Sequence, residues 1–154
     1  MKIRCDTYDV QPILSAGGLV RMSEAEFEQQ CVTSFAGSIR RPLLLQNLKI
    51  WLAAVRKIGI KGEIWLDGSF LTKRPEPDDL DFAVAIDLAN TNIQPADEQA
   101  ADFLLDRVQM KQMYGLEIYY FIKGSTPDQG QYWLKWFGTC RDDKTPKGIA
   151  EVVL

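Results

Sequence analysis

The sequence predicts an α+β domain, a small mixed β-sheet with helices packed on it. Three observations carry this expectation. Two short apolar runs, 64–66 and 82–86, and an aromatic and β-branched run, 116–122, have the length and composition of buried strands. Leu44, Leu45, Leu48, Trp51, Leu52 and Val55 recur at the i, i+1, i+4, i+7, i+8, i+11 spacing of a wide buried helical stripe. The order helix, helix, strand, strand, helix, strand, helix, strand mixes the two element types without the strict alternation of a doubly wound sheet. With 154 residues, no internal repeat and no low-complexity segment, the chain reads as one domain over 1–154.

Residues 1–22 read as an extended N-terminal arm punctuated by Pro12 and Gly17-Gly18. Ser23 and Glu26 form a capping-box signature, opening a helix that carries Phe27, Cys31 and Phe35 and ends near Gly37. Arg40-Arg41-Pro42 breaks the chain. The two arginines are expected at a solvated helix junction, with contact to nucleic acid or a partner as the alternative, and Pro42 is expected as the first residue of the next helix. That helix holds the stripe from Leu44 to Val55, with Arg56 and Lys57 on its C-terminal dipole and Gly59 as its stop.

Strands are expected over about 62–67 and 79–87, followed by a turn-rich stretch over 88–96. A third helix is expected from about Pro95 to Met110, burying Phe103, Leu104 and Val108. The strand 116–122 follows. Thr126-Pro127-Asp128-Gln129 reads as a second capping box, opening a short helix with Tyr132, Trp133, Trp136 and Phe137 that closes at Gly138. The helical spacing of these aromatics favours a core-facing stripe over a base-stacking platform. A charged turn at 141–144 and a last strand from Gly148 to Leu154 complete the chain.

Composition narrows the chemistry. An apolar fraction of 46% and a charged fraction of 25% are those of an ordinary globular protein. The net charge of −3 argues against a broad nucleic-acid-binding surface. No apolar run approaches the roughly 18 residues that span a bilayer, and the first residues lack the apolar segment of a signal peptide. Cys5, Cys31 and Cys140 are far apart and odd in number, which suits buried thiols in a reducing cytoplasm better than disulfides or zinc. The expected location is therefore cytoplasmic. The chain has no histidine, which removes Ser-His-Asp and Cys-His catalysis. Ser69 then has no base to make it a covalent nucleophile. Carboxylates, Lys and Arg, hydroxyls and a metal remain.

The stretch 65–86 concentrates those groups. An apolar strand runs into Gly68-Ser69, a proline-bearing loop follows, and a second strand opens with Asp79-Leu80-Asp81. Side chains alternate along a strand, so Asp79 and Asp81 share one face while Leu80 and Phe82 share the other. Two carboxylates about 6.5–7 Å apart along the strand can converge on one hard divalent cation. Without a cation they raise each other's pKa.

An apolar residue before Gly68-Ser69, nine intervening residues, Asp79-Leu80-Asp81-Phe82 and a later Leu116-Glu117-Ile118 together form a pattern. It resembles the polymerase-β-like nucleotidyltransferase superfamily, in particular its minimal single-domain members. Asp67-Gly68-Ser69-Phe70, Pro75, Pro77 and Lys147-Gly148 are similar to small bacterial and phage nucleotidyltransferase-like proteins of mostly undefined role. About 50 residues carry the motif.

The resemblance implies a nucleotidyltransferase core in which Asp79, Asp81 and Glu117 hold Mg2+ (or Mn2+). Gly68 and Ser69 would hold the triphosphate of an NTP, and Lys73, Arg74 and Lys147 are the local cations for its charge. In that family the third carboxylate is usually an Asp; here it is Glu117. The implied function is transfer of a nucleoside monophosphate from an NTP to a hydroxyl, on an RNA end, a protein or a small molecule. The alternative is a catalytically inactive nucleotide- or partner-binding module, such as a component of a toxin–antitoxin or phage-conflict pair, because a chain of this length leaves little room for an acceptor-binding domain. A third reading is a structural domain whose aspartates face solvent separately, with Glu117 far away.

Overall fold

The computed structural model describes residues 7–154. The sheet has five strands in the order β1-β5-β2-β3-β4: β1 (Gly18–Arg21), β2 (Gly62–Asp67), β3 (Leu80–Ile86), β4 (Leu116–Ile122) and β5 (Gly148–Val153). β1 and β5 are parallel, as are β3 and β4, while β2 runs antiparallel to both β5 and β3. The helices are α1 (Glu24–Glu28), α2 (Arg40–Lys57), α3 (Glu98–Leu104), α4 (Arg107–Tyr114) and α5 (Gln129–Phe137). The expected α+β architecture with a small mixed sheet is the observed one.

Both faces of the sheet are covered. Ile64, Leu66, Phe82, Val84, Leu116 and Ile118 point into the main core beneath α1 and α2, where Trp51 meets Phe82 edge-on at 4.9 Å and Phe27 stacks on Phe70 at 5.7 Å. The intervening residues Trp65, Ala83, Ala85 and Phe121 form a smaller core against Phe137 of α5. Burial on both faces explains why 82–86 is apolar throughout rather than alternating. The alternation still decides function, because Asp67, Asp81 and Glu117 share the parity of the smaller core and so lie on the α5 side of the sheet.

Several local expectations are corrected. Within the proposed arm, Thr7–Val10 forms a 3-10 turn that buries Asp9, and Gly18–Arg21 joins the sheet as β1. Cys5 lies outside the described residues. Ser23 caps α1 as expected, accepting from the Glu26 N–H, but the helix continues as a π-turn over Gln29–Thr33 instead of reaching Gly37. The second helix starts at Arg40, with Pro42 still in the first turn where its missing N–H costs nothing. It ends where Gly59 takes a left-handed φ of 92°.

The expected single helix from Pro95 to Met110 is a 3-10 turn (Pro95–Asp97), then α3, then α4. Asp106 interrupts it by capping α4, accepting from the Gln109 N–H at 2.9 Å. The break rotates the pattern, so Ala101 and Met110 are buried, Phe103 and Leu104 are half-buried, and Val108 faces solvent. Asp128, not Thr126, caps α5, accepting from the Gly130 N–H.

Arg41 departs furthest from expectation. It is not at a solvated junction but wholly buried, 0% exposed. Its guanidinium donates to the carbonyls of Cys31, Phe70, Thr72 and Arg74 at 2.6–3.1 Å. It also lies 3.7 Å from the ring centre of Phe35 and 4.7 Å from that of Phe70. Burial lowers its pKa to about 10. Arg41 thus ties the π-turn after α1 to the loop that follows Gly68-Ser69. Arg40 lies beside it, with its guanidinium donating to the carbonyls of Pro77 and Asp78, just ahead of Asp79.

Candidate metal and phosphate site

Strand register places the carboxylates. In the antiparallel β2–β3 ladder Asp67 stands opposite Asp81, and in the parallel β3–β4 ladder Asp81 stands opposite Glu117. Asp79 precedes Leu80 by one residue and returns to the same face. Oxygens of Asp79, Asp81 and Glu117 all lie within 4.8 Å of one another. This convergence removes the reading in which they face solvent at separate places.

Burial and mutual repulsion set their protonation. Burial, then the charges of Asp79 and Glu117, push the Asp81 carboxyl up to about 8. Burial also raises Asp79, offset in part by Lys111, whose Nζ lies 3.5 Å away. Burial acts to raise Glu117 too, but hydrogen bonds from Arg107 (2.7 Å), from the Asp81 carboxyl and from Lys111 (3.2 Å) hold it well below the usual carboxylate range. Tyr119 donates to the same carboxylate at 3.2 Å. The Asp81 Oδ1 atom is buried and has no hydrogen-bond partner among the described residues. An all-carboxylate donor set with an unsatisfied buried oxygen fits a hard divalent cation such as Mg2+ or Mn2+.

Gly68 opens a 3-10 turn (Gly68–Leu71) at a left-handed φ of 72°. A Cβ there would lie 2.1 Å from Asp81 Oδ2, so the glycine makes room for the carboxylate as well as exposing backbone. Gly68→Ala is therefore expected to cost about 1–3 kcal/mol and to weaken Mn2+ binding, because Asp81 must move. An unchanged Mn2+ affinity by calorimetry would show that Asp81 takes no part in holding the cation.

Gly68, Ser69, Asp81, Glu117 and Lys147 line one cavity of about 340 Å³. Asp79 instead borders a neighbouring groove with Arg40 and Lys111, so the triad sits between two openings. Lys147 is 5% exposed, pairs with Asp67 Oδ1 at 3.0 Å and reaches the Gly68 carbonyl at 3.4 Å. Lys73 is exposed and does not line the cavity. Arg74 donates to both oxygens of the buried Asp9, and Asp9 Oδ2 also lies 3.6 Å from Arg141 on the cavity wall.

Sequence reasoning missed four groups here. Asp67 is buried, and burial raises its carboxyl to about 6 against the opposing pull of Lys147. A carboxylate closing an apolar strand one residue before Gly68 was the available signal. Arg107 and Lys111 stand four apart on α4 and so share a face, a spacing visible in the sequence once the helix start is known. Asp9 left no local signal, because only the fold brings the N-terminal turn beside Arg74 and Arg141.

No helix among the described residues is long and apolar enough to cross a membrane. Comparison with curated proteins finds no match, and comparison with solved structures finds none. A protein-family model matches residues 7–153, almost the whole chain, and the protein belongs to that family, the family of unknown function DUF6932.

Proposed function

We propose that this protein is a divalent-cation-dependent nucleotidyltransferase with a polymerase-β-like core, acting on an NTP. The single observation that carries the reading is the convergence of Asp79, Asp81 and Glu117 within 4.8 Å, with two of the three lining the cavity that holds the Gly68-Ser69 turn. Asp79, Asp81 and Glu117 would hold Mg2+ or Mn2+, which when bound neutralises phosphate oxygens and activates the acceptor hydroxyl. Gly68 and Ser69 receive the triphosphate, with Lys147 and Arg141 supplying positive charge along the cavity wall. The acceptor oxygen forms a bond to the α-phosphorus as the bond to the α–β bridging oxygen breaks. Pyrophosphate leaves with that electron pair, and the hydroxyl proton passes to a carboxylate of the triad. The acceptor is an RNA end, a protein hydroxyl or a small molecule. The buried Cys31 forms no disulfide among the described residues, in keeping with the reducing cytoplasm in which an NTP is met.

One observation favours a second reading. Arg107 and Lys111 already neutralise Glu117 and Asp79, as in a module that binds a nucleotide or a partner without turnover, for example in a toxin–antitoxin or phage-conflict pair. Incubation with each labelled NTP, Mg2+ or Mn2+ and a cell extract separates the two. Transfer of label to a macromolecule is expected. Asp79→Ala should reduce it by more than the roughly 10–100-fold that follows loss of an outer-shell partner. Labelling undiminished in that variant would end the catalytic assignment, and NTP binding without transfer would favour the second reading.

A further inference from the structure

The aromatic residues of α5 do not form the expected core stripe. Phe137 is buried, and Trp133 packs between Tyr119 at 4.8 Å and Phe137 at 5.3 Å, but Trp136 is 66% exposed and Tyr132 58%. A helix of nine residues offers about two and a half turns. Trp133 and Phe137, four apart, take the inward face, while Tyr132 and Trp136, also four apart, fall beside it and stack on one another at 6.3 Å and 14°. Tyr132 and Trp136 together form a small exposed aromatic patch.

Trp136 lines the same cavity as Gly68, Ser69, Lys147 and Arg141. The wall of that cavity therefore carries glycine backbone, a hydroxyl, cations and the carboxylates of Asp81 and Glu117, together with a broad exposed indole. Its volume, about 340 Å³, is within the range of small-molecule sites. A ligand that uses both the phosphate-type groups and the indole has an anionic part and a flat, apolar part. The nucleobase of an NTP is such a part, and stacking on indole tolerates any base because every base has a π-face.

We infer that Trp136 is the stacking wall for the nucleobase, with Tyr132 supporting the indole from behind. The inference rests on the nucleotide-site reading above and adds to it the place of the base. It also implies that the protein discriminates weakly among ATP, GTP, CTP and UTP.

The test compares ATP with inorganic tripolyphosphate, each titrated with Mn2+ into the full chain by calorimetry. Wild type should bind ATP more tightly than tripolyphosphate. Trp136→Ala should weaken ATP binding about tenfold and leave tripolyphosphate binding unchanged, while Trp136→Phe, which keeps an aromatic face, should restore most of the ATP affinity. Equal ATP and tripolyphosphate affinities in wild type would overturn the stacking wall while leaving the phosphate site standing. So would a Trp136→Ala loss that is the same for both ligands, or that Trp136→Phe does not repair. Binding of neither ligand by wild type would remove the nucleotide-site reading itself, and the stacking wall with it.

Discussion

Arg41→Ala is expected to lower the stability of the protein by roughly 3–5 kcal/mol, because several buried carbonyl acceptors lose their donor at once. The guanidinium satisfies four carbonyls, those of Cys31, Phe70 and Thr72 in buried hydrogen bonds and that of Arg74 in a half-buried one, and its planar fork serves acceptors that diverge by more than a point charge can span. Its removal leaves buried acceptors unpaired, each of which costs about 1–3 kcal/mol when no relaxation brings a substitute. It also leaves Phe35 and Phe70 without the cation between them. Against a typical total of about 5–15 kcal/mol, such a loss is a large part of the whole. Arg41→Lys should recover only a fraction, since an ammonium presents three donors from one point. Urea unfolding gives the magnitude. A stability within about 0.5 kcal/mol of wild type, the usual effect of a surface change, would show that Arg41 is not a keystone. Amide exchange should also quicken first at Phe70, Thr72 and Arg74, because their carbonyls are what Arg41 holds, and with them the turn that carries Gly68.

Asp81→Asn is expected to act in the opposite direction on the metal-free fold. Asp81 stands opposite both Asp67 and Glu117 in the sheet, with Asp79 on the same face, and its Oδ1 has no hydrogen-bond partner among the described residues. In the unfolded chain its carboxyl titrates near the ordinary value of about 3.9; in the fold it is pushed up to about 8. The folded state therefore binds this proton more tightly. The contribution of Asp81 is most favourable below about pH 4 and is lost progressively as the pH rises towards 8. Asparagine keeps the shape and removes the charge, so in EDTA at pH 8 the variant should be more stable than wild type by about 2–4 kcal/mol. Each tenfold change in proton affinity is worth about 1.4 kcal/mol, and relaxation around the carboxylate relieves some of the total. The difference should shrink towards zero near pH 4. Mn2+ should raise the melting temperature of wild type and leave that of the variant almost unchanged. An Asp81→Asn protein no more stable than wild type at pH 8 without metal would remove the argument that the carboxylate is held at a cost for a cation. A stabilised but inactive variant is the ordinary signature of a site kept for function.

The candidate site was legible where its residues are close in sequence. Asp79 and Asp81 could be placed on one face from the two-residue period of a strand alone, and Gly68 could be marked because the chain must turn there between two apolar runs. Glu117 could be nominated only through a pattern, since nothing local says which strand lies beside β3. Arg41 was misread because its own neighbourhood, Arg40-Arg41-Pro42, is that of an ordinary surface junction; its four acceptors come from two other stretches of chain, Cys31 before it and residues 70–74 well after it. The α5 aromatics were misread for a related reason. Periodicity says which residues share a face, but not how wide a surface is available to cover that face, and one short helix against the small core has room for Trp133 and Phe137 but not for Tyr132 and Trp136.

The sequence by itself determined the α+β class, most strand and helix positions, the exclusion of histidine-dependent catalysis, and the pairing of Asp79 with Asp81. These follow from periodicity, capping and composition, which act over a few residues. Only the tertiary structure decided that Asp67, Asp81 and Glu117 stand side by side, that Arg107 and Lys111 neutralise the triad, that Arg41 is buried and that Trp136 faces the cavity. Each of these depends on strand order, register and the area each helix covers, which are set by the burial of apolar surface over the whole domain and not by any local rule.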